Sequence, residues 1–210
     1  MNAKKATILR ELSIDGVKSI HGVTFDGSNV WFADGTRGGL TAVDATTGAP
    51  VKRLADVPAD AGTAFDGTHL YQIAEDRIQK VDPETGKILG TIPAPGKGRD
   101  SGLAWADGAL WVGQYEERLL HKIDAETGKV LKTIKSDRFV TGVTWVDGEL
   151  WHGTSEDGVS EVRRVNPESG DVCERIAVPG VQVAGIEADR DGRIWLADTS
   201  TGKLYAIARG

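Results

Sequence analysis

Two histidines interrupt otherwise apolar patterns. His21 takes a step that small residues hold elsewhere, and His152 a step filled in sister segments by Phe32, Val112 and Leu196. An imidazole near neutral pH can take or give a proton, which suits either residue to general acid–base work. For His152 the competing role is a core imidazole bonded to a neighbouring carbonyl. Asp34, Glu75 and Glu116 fall in loops where they could partner such a base, and Arg37, Arg99 and Arg138 could hold an anionic group. Asp60, Asp100 and Asp198 add acceptors. Opposite charges and hydroxyls brought together in this way suit a small polar or zwitterionic ligand. Gln72 is a third interruption, expected as a packed amide.

Other chemistries find less support. His69 and His121 lie far from His21 in the pattern, so no histidine metal cluster is expected. No Asp-rich loop has the spacing of a calcium site, and no Gly-rich phosphate loop runs from a strand into a helix. No cofactor is expected, although acids at one end of the fold leave room for a divalent cation. Cys173 is the single cysteine, so no intrachain disulfide forms, and an inert buried thiol is the default on its outer strand.

The elements that must position these residues repeat. A glycine opens each copy at Gly22, Gly62, Gly102, Gly142 and Gly185, with four units about forty residues long. Within each comes an Asp-Gly pair: Asp26-Gly27, Asp66-Gly67, Asp107-Gly108, Asp147-Gly148 and Asp191-Gly192. These read as tight type I′ hairpins, which require positive φ angles. A second turn recurs as Asp44–Gly48, Asp82–Gly86, Asp124–Gly128 and Asn166–Gly170, each an Asp or Asn followed four residues on by glycine. Between turns the second strand is apolar with one aromatic, as in Leu110-Trp111-Val112, which fits a strand covered on both faces.

Four strands per repeat predict an all-β five-bladed β-propeller of four-stranded antiparallel blades. Its single domain spans 1–210, with blade cores near 20–58, 59–97, 98–137, 138–180 and 181–208. The last copy lacks a fourth strand, and residues 6–14 have the strand character to supply it. Pairing the chain's two ends would close the ring and remove its open edges. One face then carries the repetitive Asp-Gly and Thr-Gly turns and is expected to be structural. The other gathers dissimilar loops at the channel mouth, where an off-centre site is expected.

The net charge of −6 with dispersed basic residues argues against nucleic acid as partner. No apolar run is long enough to span a membrane, and Met1-Asn-Ala-Lys-Lys is followed by no signal-peptide core. A cytoplasmic monomer is the expectation.

The blade sequence GALWVGQYEERLLHKIDAETGKVLKTI resembles the repeats of the glutamine cyclotransferase family, five-bladed propellers, over nearly the whole chain. Asp191-Gly-Arg-Ile-Trp-Leu-Ala-Asp198 is also similar to streptogramin B lyase and gluconolactonase-like propellers. The cyclotransferase resemblance implies a first-blade pattern F-T-Q-G-L and then Y-E-S-T-G, whose Glu is implicated in proton transfer. Here Ser19-Ile-His21-Gly22-Val23 and Phe32-Ala33-Asp34-Gly35-Thr36 stand in those places. His21 replaces the Gln, Ala33 replaces the Glu, and Asp34 lies one step along, on the opposite side of a strand. The resemblance implies a small-molecule enzyme of the cyclotransferase or lyase type. The alternative is a non-catalytic binding or protein-interaction scaffold, including an engineered propeller; a lectin would repeat its polar residues in every blade, and these loops differ.

Overall fold

In a computed structural model describing residues 2–209, every regular element is a β-strand. The four-strand meander is laid down five times. Blade one comprises Ile20–Phe25, Asn29–Asp34, Leu40–Asp44 and Pro50–Leu54; blade two Thr63–Phe65, Leu70–Ala74, Arg77–Val81 and Ile88–Pro93. Blade three comprises Asp100–Ala106, Ala109–Gln114, Leu119–Asp124 and Val130–Lys135; blade four Val143–Val146, Glu149–Glu156, Val159–Val165 and Val172–Ala177. Val183–Ala188, Arg193–Asp198 and Leu204–Ala208 begin blade five, and Ile8–Leu12 completes it. The protein is a five-bladed β-propeller. No helix among the described residues is long and apolar enough to cross a membrane.

The ring closes as the repeat implies. Ile8–Leu12 runs antiparallel to Leu204–Ala208, with Leu12 opposite Leu204 and Ile8 opposite Ile207. The chain start does more than that. Lys4 and Lys5 pair in parallel with Ile176 and Ala177 on the outer edge of blade four, giving that sheet a fifth strand. The same arm therefore ties blade four to blade five.

The glycine opening each blade marks where neighbours touch. A Cβ on Gly22 would lie 2.3 Å from the Ala61 carbonyl oxygen, and one on Gly102 would lie 2.5 Å from the Val143 nitrogen. A Cβ on Gly185 would meet the His21 carbonyl oxygen at 2.7 Å, so the contact passes from the last blade to the first. Backbone meets backbone at every seam, and only glycine permits that approach. Behind it the second-strand aromatics Trp31, Tyr71, Trp111, Trp151 and Trp195 are buried between blades, as expected. Gln72 is fully buried and bonds Thr63, the Ala61 carbonyl and the Ile73 carbonyl, a packed amide.

The Asp-Gly pairs do not all make the same turn. In blades three and four Asp107, Gly108, Asp147 and Gly148 all have positive φ, the type I′ pattern. In blades one and two the pair is shifted by one residue. There only the glycine is left-handed, and Asp26 and Asp66 stand ahead of the loop, accepting the N–H groups of Ser28 and Asn29 and of Thr68 and His69. Blade five uses a longer loop from Asp189 to Arg193 with Gly192 left-handed.

Each outer strand begins with a bulge. Pairing skips Leu9, Val51, Leu89, Leu131 and Cys173 in the five blades, and these residues turn outward. Cys173 is exposed rather than buried, because the bulge rotates it away from the sheet.

Candidate functional site

The step before each blade glycine lines the channel mouth: His21, Ala61, Ser101, Thr141 and Ala184. Tyr115 and Thr199 reach over them from loops that follow second strands, and Ser155 from near the end of the longer second strand of blade four. With Asp60, Asp100 and Gln182 they enclose about 270 Å³, the size of a small ligand. Gly35 stands where the other blades carry Glu75, Tyr115, Ser155 and Thr199. A Cβ there would lie 2.3 Å from His21 Nε2, so this glycine leaves the space that the imidazole fills.

Asp100 is the most perturbed group in the mouth. It is 8% exposed, and both carboxylate oxygens accept the Gly96 N–H, at 2.8 and 3.0 Å. Burial outweighs those bonds and pushes the carboxyl up to about 6. Behind it the Gln114 side-chain oxygen lies 3.1 Å from His121 Nε2, and His121 Nδ1 meets Thr133 Oγ1 at 2.7 Å. Burial lowers the His121 pKa. Asp60 is exposed and accepts the Glu75 N–H at 2.9 Å.

Of the residues singled out from sequence, His21, Asp60 and Asp100 share this mouth. The others have different occupations. Asp34 is fully buried and accepts the N–H groups of Thr36 and Arg37 and, at 2.7 Å, the Arg37 guanidinium. Asp198 is likewise buried and pins Ser200 and Thr201. Glu75 pairs with Arg77 at 3.0 Å; Glu116 is exposed and outside the mouth lining. Arg99 pairs with Glu117, while Arg138 is clamped by Glu156, Thr154 and the Val159 carbonyl. Among the described residues no arginine is part of the mouth lining. His152 is the core imidazole: fully buried, Nδ1 3.1 Å from the Gly153 carbonyl, and lowered to about 4 by desolvation. Among the described residues no three His, Cys, Asp or Glu side chains converge as a metal site.

Residues 74–207 match the family model described as outer membrane protein assembly factor BamB. The chain belongs to this family. Outside the BamB model, no curated protein matches the sequence. Among solved structures, the glutaminyl cyclase of Myxococcus xanthus superimposes with a TM-score of 0.81 at 18% identity, over 98% of this chain and 96% of that one. A nidogen/laminin complex gives 0.60 at 16% identity, over 91% and 76%. Hydrazine synthase of Kuenenia stuttgartiensis gives 0.54 at 18% identity, over 88% and 56%. At such identities the likeness is one of fold.

This member of the BamB family thus carries a mouth of one imidazole, two carboxyls, several hydroxyls and a phenol, with no fixed cation. Ser101, Thr141, Ser155, Tyr115 and Thr199 belong to the loops expected at the mouth but are not among the residues singled out from sequence. Their signal was register, since each occupies the step equivalent to His21 or to Gly35.

Proposed function

We propose that the mouth is a small-molecule acid–base site of the cyclotransferase or lyase type, acting on a neutral or cationic amide or ester. The observation that carries this is Asp100, a mouth carboxyl that burial raises to about 6 against the opposing pull of the Gly96 N–H and the Arg99 charge. Such a group keeps a protonated fraction up to near neutral pH, far larger than an ordinary carboxyl does, and that form can pass its proton to a leaving group. His21 is the acceptor for the proton of the attacking nucleophile. In a cyclisation, an amine would attack an amide carbonyl. Its proton would go to His21, the C–N bond would break, and Asp100 would protonate the departing nitrogen, releasing ammonia. The fold likeness to glutaminyl cyclase supports this class, with His21 and Asp100 in place of the Glu absent at Ala33.

The test is a thermal-shift screen against small amides, lactones and amino-acid derivatives, followed by turnover assays on the hits. Asp100→Asn and His21→Ala should each abolish turnover without lowering the melting temperature. Full turnover in both variants would move the chemistry away from the mouth.

A second reading is a protein-interaction scaffold, supported by the BamB match and by the outward bulge residues Leu9, Val51, Leu89 and Leu131, each about half exposed. On that reading, Leu89→Ser with Leu131→Ser would lose a protein partner and leave the mouth's ligands unaffected.

A further inference from the structure

The opposite end of the channel holds a larger cavity, about 810 Å³. Its walls come from one register position. Phe25, Phe65, Trp105 and Trp145 are each the third residue after a blade glycine, and all four are half-buried at the cavity edge. One side of each ring covers the aromatic of the preceding blade. Phe25 stacks on Trp195 with centroids 6.1 Å apart, and Trp105 on Tyr71 at 5.3 Å. Phe65 and Trp145 pack into the clusters that contain Trp31 and Trp111. The remaining ring surface faces the cavity.

Blade five breaks the ring of aromatics. Ala188 takes the fifth such position, and the residue before it is Glu187, where the other blades have Thr24, Ala64, Ala104 and Thr144. The other acids around the cavity are mostly spoken for. Asp26, Asp66 and Asp189 cap turns, Asp147 and Asp191 pair with Arg209 and Arg193, and the exposed Asp107 and Arg190 complete the charged lining. Glu187 joins no ion pair among the described residues. The fully buried Thr24 hydroxyl sits beside it yet closes no well-formed hydrogen bond to any protein group. Desolvation holds this carboxyl well above the usual range, and Asp189 adds to the effect.

An aromatic wall with a half-buried carboxyl set into it, Glu187, is the environment that recognises an ammonium carrying hydrocarbon. The chain itself shows the preference: the Arg193 guanidinium lies 5.8 Å from the centroids of both Phe25 and Trp195. We propose that this lower cavity binds an organic cation with an apolar body, an alkylated or aromatic ammonium. Its charge lies against Glu187 and its hydrocarbon against Phe65, Trp105 and Trp145. Burial favours the protonated form of Glu187 and a bound cation favours the ionised form, so binding releases protons and affinity rises with pH.

The experiment is calorimetric titration of the full chain with benzyltrimethylammonium, with benzyl alcohol as the neutral probe, in buffers of differing ionisation heat at about pH 6 and about pH 8. The expected result is saturable binding of the cation, tighter at the higher pH, with proton release. Benzyl alcohol should bind at least about tenfold more weakly. Glu187→Gln should remove both the proton release and the pH dependence and weaken the cation about tenfold. Trp145→Leu, which keeps apolar packing, should weaken the cation several-fold and leave benzyl alcohol unchanged. Asp100→Asn at the opposite mouth should change neither. The proposal is overturned if no saturable binding occurs at millimolar cation, if the neutral probe binds as well, or if Glu187→Gln behaves as the parent.

Discussion

Trp31 donates its indole N–H to Asp26 at 2.7 Å. Trp195 reaches Asp189 in the same way at 3.3 Å, and Trp151 uses Glu149 at 3.1 Å instead. Trp111 has no partner, although it is buried. The cause is the turn. In blades one, two and five an acid stands just ahead of the loop, whereas the type I′ turns of blades three and four place Ala106 and Val146 there. Blade four compensates through Glu149, and its counterpart in blade three is Ala109.

Ala109→Glu should therefore supply the missing acceptor. A buried donor without a partner costs about 1–3 kcal/mol, and a new bond recovers part of that. The variant should be more stable by about 1 kcal/mol in urea denaturation, and Trp111→Phe should cancel the gain. An equal gain in the Trp111→Phe background would mean that the introduced carboxylate acts through something other than the indole.

Asp100 should destabilise the native protein above about pH 6. Its folded pKa is raised to about 6 from 3.8, so the native state holds a proton that the unfolded chain has already released. Stability from this group is therefore present at low pH and lost as pH rises from about 4 to about 6. Asp100→Asn removes the loss. It should be more stable than the parent by about 1–2 kcal/mol at pH 8, after allowance for partial solvation, with the difference vanishing below about pH 4.

His152 pulls the other way over nearly the same window. Its folded pKa is lowered to about 4 from 6.5, so the unfolded chain takes up a proton that the buried imidazole refuses. Stability is lost as pH falls from about 6.5 to about 4, by roughly 3 kcal/mol in full. In the parent this offsets much of the Asp100 effect, and the profile should look flatter than either group alone would make it. His152→Leu, which restores the residue type found at Leu196, should expose the opposing slope. An unchanged profile in that variant would mean the imidazole is not held neutral.

The contrast between what was legible and what was not follows from spacing. The five glycines announced the seams because only the absence of a Cβ lets the Gly22 backbone meet Ala61 and the Gly185 backbone meet His21. Closure by residues 8–12 was legible because the fifth repeat ran out of strands. The loop acids misled because their charge drew attention away from their surroundings. Asp34-Gly-Thr-Arg-Gly38 and Asp198-Thr-Ser-Thr-Gly202 have the same Asp-to-Gly spacing as Asp44–Gly48, and they fold alike. In each the glycine N–H bonds the Asp carbonyl and the glycine is left-handed. That spacing marks a turn wherever it occurs, so Asp34 and Asp198 could have been assigned to structure. The arginines could not, because their partners Glu117 and Glu156 are set by loop geometry. Asp100 was singled out among the acids, but its burial depends on how the 94–99 loop folds over it.

The arm that joins the last two blades yields a final prediction. Leu12 is 6% exposed and packs with Ile14, Val17 and Leu204 in the core between blades five and one. Lys4–Lys5, by contrast, add two exposed residues to an edge that blade four already completes. Removing residues 2–5 should thus cost about 1 kcal/mol or less, since it forfeits little buried area and one surface ion pair, Lys4–Glu174. Leu12→Ala should cost about 2–4 kcal/mol by emptying a core position, and it should raise the unfolding rate because closure joins the two ends of the chain. Deleting residues 2–12 should go further, leaving Leu204–Ala208 as a bare edge and producing self-association visible by light scattering. If the long deletion stays monomeric and as stable as the short one, the N-terminal strand is not what holds the ring shut.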